Sequence, residues 1–143
     1  MKTHDIMEWY TPEELHKASM GWLLELEFIK DEHLFFEDLI TSFTLQLVGN
    51  KGATENQKFI DALKISRKWN NSLIKIIKKH DKNLKLLLDD KDRPDEDEAY
   101  KKEHKNIMNE LNAFLKDYKA LKTQLFSTIK DVLKKDKQKR LTA

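Results

Sequence analysis

Three long stretches of this chain place apolar residues at alternating steps of four and three, a 3.5-residue repeat that suits helices packing along a shared seam. The first line runs through Trp22, Leu26, Ile29, His33, Phe36, Ile40, Phe43 and Leu47. The second is Phe59, Leu63, Ser66, Asn70, Leu73, Ile77, His80, Leu84 and Leu87, and the third Tyr100, His104, Ile107, Leu111, Phe114, Tyr118, Leu121, Leu125, Thr128 and Val132. With three Gly and two Pro among 143 residues, the chain has few of the turn formers that a sheet requires. These features predict one all-α domain over residues 1–143, an antiparallel up-down-up bundle of three long helices with coiled-coil-like packing.

Start and stop signals bound the helices. Thr11-Pro12-Glu13-Glu14 combines an N-cap hydroxyl, a proline at the first helical position and a glutamate three residues after the cap, so a helix over about 12–48 begins there. Gly49-Asn50-Lys51-Gly52 suits its C-terminus, and Thr54 followed by Gln57 repeats the capping pattern for a second helix over about 55–90. The run from Asp89 to Pro94 breaks that helix. Four carboxylates, Asp95 to Glu98, open a third over about 95–138, which closes in the basic run Lys134 to Arg140.

Charge divides the chain unevenly beneath a net of +2: residues 1–50 hold 3 basic and 10 acidic groups, whereas residues 51–90 hold 10 and 5. An acidic first helix beside a basic second one suggests pairing within the fold and makes nucleic acid an improbable partner. The basic face of helix two, including Lys64, Lys68, Lys75, Lys79 and Lys82, lacks the exposed aromatics on which bases stack. The absence of Cys removes thiolate chemistry and points to the cytoplasm. No segment reaches the ~18 consecutive apolar residues of a membrane span, and the N-terminus has no apolar leader.

Polar residues on the core lines are the candidate chemistry. His33, His80 and His104 occupy seam positions on three different helices, with Glu25 and Glu32 one residue to the side of the first seam. Folding about the two turns predicts one layer of Glu25, His80 and His104 and a second of Glu32, His33 and Asn70. A hydrogen-bonded layer that fixes helix register is the first reading; a carboxylate and histidine metal site is the alternative. His33-x-x-x-Glu37 resembles one fragment of the hemerythrin pattern, but Leu84 and Asn109 stand where that family's further ligands would be. Glu13-x-x-His16 resembles half of a di-iron carboxylate motif, and the chain holds no second copy. Nucleophile elbows, phosphate-binding glycine loops and His-Glu-x-x-His are absent, so no cofactor or small-molecule substrate is expected and the chain reads as no enzyme.

Helix one also carries more apolar surface than one seam needs, since Leu24, Phe28, Phe35 and Leu39 form a second stripe. Cover by helix three of the same chain is the expected arrangement, with a partner protein or a second copy as the alternative. The stretches Trp22-Leu23-Leu24-Glu25-Leu26-Glu27-Phe28-Ile29-Lys30-Asp31-Glu32 and Lys119-Ala120-Leu121-Lys122 resemble an uncharacterised family of small bacterial all-helical proteins. That resemblance implies a helical fold and carries no activity. The reading overall is a non-enzymatic cytoplasmic bundle acting through helix-helix contact, with a metal-binding bundle as the alternative.

Overall fold

The computed structural model describes residues 11–46, 50–89 and 94–142. They form three helices, α1 (Pro12–Gln46), α2 (Asn50–Asp89) and α3 (Pro94–Thr142), in an up-down-up bundle. The start of α1 is the expected capping box. The Glu14 amide donates to Thr11 Oγ1 at 3.1 Å, and the Thr11 hydroxyl and amide both donate to Glu14 Oε1, at 3.1 and 3.5 Å. Pro94 takes the first position of α3, where its missing amide proton is no loss. The expected end of helix one at Val48 and the break at residues 90–93 lie outside the described residues.

The second expected cap is not used. Helix α2 begins at Asn50 and runs through Thr54, so Thr54 and Gln57 are interior residues. Five earlier residues of helix move the hairpin toward the N-terminus and slide the α1–α2 pairing by about a turn. His33 therefore meets Ser66 rather than Asn70, and Asn70 lies beside Leu26.

The core follows the three apolar lines. Leu26, Leu63, Leu73 and Ile77 are wholly buried, with Phe36, Leu111, Phe114 and Leu125 almost so. A smaller cluster of Leu15, Leu84 and Tyr100, with Leu87 against it, closes the end where α1 begins. Helix α2 is the shared element. Its backbone approaches both neighbours, whereas among the described residues no Cα of α1 comes within 8 Å of one of α3. Long side chains cross that gap instead: Trp22 stacks on His104 at 4.6 Å, His33 tilts against Tyr118 at 4.9 Å, and Phe36 meets Phe126 edge-on at 5.4 Å.

With one main core passing through all three helices, thermal unfolding is expected to be a single transition, with far-ultraviolet circular dichroism and tryptophan fluorescence coincident. Leu26→Ala should lower stability by about 2–5 kcal/mol without splitting that transition. Two separated steps would show that α3 unfolds independently.

Candidate functional site

Seam position alone puts His80 and His104 in the core, at 0% and 2% exposure. They face each other because the antiparallel α2–α3 hairpin sets them at one level, with His80 Nε2 2.9 Å from His104 Nδ1. The other nitrogen of His80, Nδ1, lies 2.7 Å from Glu103 Oε1 and so carries the proton that this carboxylate accepts. The ring of His80 stacks on Tyr100 at 4.0 Å and that of His104 on Trp22, so aromatic faces enclose the pair. Burial, and then the charge of His80, hold the pKa of His104 down to about 4. Burial, with the carboxylates of Asp81 and Glu103, pushes the Tyr100 hydroxyl above its ordinary range.

Glu25 does not belong to this layer. It is exposed, and Glu103 stands in the role expected of it. A residue next to a seam position is rotated by about 100° from it, to one flank or the other. The flank of α1 that carries Glu25 faces away from α2, whereas the flank of α3 that carries Glu103 faces toward it. Nothing in the spacing of the sequence distinguishes the flanks until α2 is known to be central.

The second expected layer separates into two contacts. His33 Nε2 lies 2.8 Å from Ser66 Oγ, and Asn70 Nδ2 donates to the Leu26 carbonyl at 3.0 Å, two turns away along α1. Burial first, then the Arg67 guanidinium, lower the pKa of His33 to about 4, against the opposing pull of Glu32 and the Ile29 backbone. Glu32 turns instead toward α3, where its carboxylate accepts from the Tyr118 hydroxyl at 3.0 Å and from Lys122 Nζ at 3.1 Å. Lys122 also lies 5.3 Å from the centre of the Tyr118 ring.

A contact absent from the sequence reading ties α1 to α2 at the end where α1 begins: His16 Nδ1 lies 2.6 Å from Asp81 Oδ1, itself mostly buried. Its signal was a seam-edge histidine on the first helix and an acid, Asp81, directly after the seam position of His80 on the second. Of the basic face of α2, Arg67 reaches Glu37 at 2.9 Å and Lys78 comes within 4.0 Å of Glu27. Lys64, Lys68, Lys75, Lys79 and Lys82 stand in water, so pairing with α1 engages less of that face than its charge suggested. Trp69 is turned inward, edge-on to Phe114 at 5.2 Å, and offers no face for a base.

These arrangements limit the chemistry. Both nitrogens of His80 are engaged in hydrogen bonds, and no group of three His, Asp or Glu able to hold a metal is found among the described residues. The halves of metal motifs are otherwise occupied, His16 on Asp81 and Glu37 on Arg67. The Ser66 and His33 pair has the spacing of a nucleophile and base, but Ser66 is buried within an unbroken helix whose amides are committed to their own turns rather than turned toward an oxyanion. A surface groove of about 530 Å³, lined by Asn83, Leu86, Leu87, Glu96, Ala99, Tyr100 and Glu103, borders the histidine chain, yet of that chain only Glu103 reaches water.

The second stripe of α1 is the other candidate. Leu24, Phe28 and Phe35 are 75%, 65% and 59% exposed and Leu39 is half-buried, so helix three does not cover them as expected. They lie on the far side of α1 from Leu26, Ile29 and His33. No known protein family, curated protein or solved structure matches the chain. Among the described residues no helix is long and apolar enough to cross a membrane.

Two predictions follow from the buried rings. His33 and His104 titrate near 4 in the folded chain and near 6.5 in an unfolded one, so as pH falls the unfolded chain takes up protons first. The stability lent by the neutral rings is complete above about 6.5 and is lost toward 4, by at most about 3 kcal/mol per ring. Urea denaturation between those limits should show the slope, and His104→Gln should flatten it; identical slopes would contradict a buried neutral ring. Glu103→Ala should strand the Nδ1 proton of His80 and lower stability by about 1–3 kcal/mol, while Glu25→Ala should stay within about 0.5 kcal/mol. Equal losses in calorimetry would place Glu25 in the layer after all.

Proposed function

We propose that this chain is a non-enzymatic, cytoplasmic helical-bundle protein that acts through helix-helix contact with protein, and that the stripe of Leu24, Phe28 and Phe35 on α1 is its docking surface. The observation that carries this reading is the exposure of that stripe, because two phenylalanines and a leucine aligned on one face of a helix lose free energy in water until something covers them. Aligned side chains at steps of four and seven are the anchors by which one helix holds another. The buried histidines fit a structural role in this scheme: they fix the level at which the helices pair and hold α1 in place beneath its exposed face. A cytoplasmic setting is supported by the lack of cysteine.

A photo-crosslinking side chain substituted at Phe28 or Phe35 in living cells tests the reading. Covalent adducts with protein are expected from both positions and not from Lys64 on the solvent face of α2. Absence of adducts from the α1 positions would sink the proposal.

A further inference from the structure

We infer that two copies of the chain associate through the open side between α1 and α3, about a two-fold axis parallel to the helices, each α1 lying against the α3 of the other copy. This rests on the docking role proposed for α1 and names the partner.

The first support is geometric. Because α1 and α3 both pack on α2 while, among the described residues, their Cα atoms stay more than 8 Å apart, the face that the two share opposite α2 is bridged by side chains and covered by no further helix. Its floor is aromatic: Phe36 packs against Phe35 on one side and Phe126 on the other.

The second is area. Leu24, Phe28, Phe35 and Phe126 are 75%, 65%, 59% and 50% exposed. At about 200 Å² per large side chain they leave on the order of 450 Å² of apolar surface in water per copy. Two copies supply about 900 Å², close to the roughly 60% apolar share of a standard interface of about 1,600 Å².

Charge chooses the arrangement. Helix α1 carries eight carboxylates against two lysines. The flank of α3 marked by Lys122 and Phe126 runs, at steps of three and four, from Lys101 through Lys105 and Lys119 to Lys130 without a carboxylate. Within one chain the two walls already meet in the Glu32–Lys122 pair. A face made of two parallel helices can stack on its own copy in two ways. An axis across the helices sets acidic α1 on acidic α1; an axis along them sets acidic α1 on basic α3, twice. Only the second is electrostatically favourable.

Light scattering on the full chain at micromolar concentration should report twice the 17.0 kDa of one copy, and Phe28→Glu should return it to one with its circular dichroism unchanged. The chain has no cysteine, so a nitroxide on Lys17→Cys reports the arrangement. Labels about 20–30 Å apart fit the parallel axis, while about 35 Å or more would mean antiparallel α1 helices. A single-copy mass at every concentration, a dimer indifferent to Phe28→Glu, or the longer distance would each overturn the inference. Adducts from Phe28 to other proteins alone, with a single-copy mass, would overturn it while leaving the docking role of α1 intact.

Discussion

Everything in this bundle depends on α2 serving as the common wall for two helices whose backbones, among the described residues, stay apart. With the backbones of α1 and α3 held apart, only long side chains can close the third side, and the residues found there are Trp22, His33, Phe36, Tyr118, Lys122 and Phe126. A leucine or valine at those levels would leave a void that packed interiors do not tolerate. The aromatic content of α1 and α3 is thus a consequence of spacing, and the same spacing leaves the outer face of α1 uncovered.

The polar seam answers a different problem. Leucine-like lines at a constant repeat can slide past one another by a turn with little penalty, so apolar packing alone specifies register weakly. The pairs His80 with His104, His33 with Ser66 and Asn70 with the Leu26 carbonyl each hold at one level only. A slip of one turn would strand all of these groups in an apolar interior, where each unpaired group costs on the order of 1–3 kcal/mol. Whether such groups also add net stability is secondary, since their worth lies in the difference between the right register and the wrong one.

The fold was legible because the helix period runs unbroken through three segments and the Thr11 cap marks where the first begins. Thr11 caps α1 as the sequence places it, and the seam residues from Leu26 to Ile40 on α1, from Leu63 to Leu84 on α2 and from Tyr100 to Leu125 on α3 fall in or against the core. The site was legible only in part. Seam positions reveal that His33, His80 and His104 are buried, but partners depend on flank and level, and these are set by the whole arrangement. Taking Thr54 as a cap displaced the predicted pairing by about a turn, which was enough to give His33 the wrong neighbour. Assigning Glu25 rather than Glu103 to His80 followed from treating the bundle as a closed triangle in which every flank faces a neighbour. The same assumption led to the expectation that helix three covers Leu24 and Phe28.

The unequal helix lengths, 35, 40 and 49 residues, have a hydrodynamic consequence. At the usual rise, α3 is about 70 Å long, and a rod of that length has a radius of gyration near 20 Å. A compact ball of the same number of residues would have one of about 14–15 Å. The single chain therefore diffuses like a considerably heavier globule, and its elution from a sizing column overstates its mass.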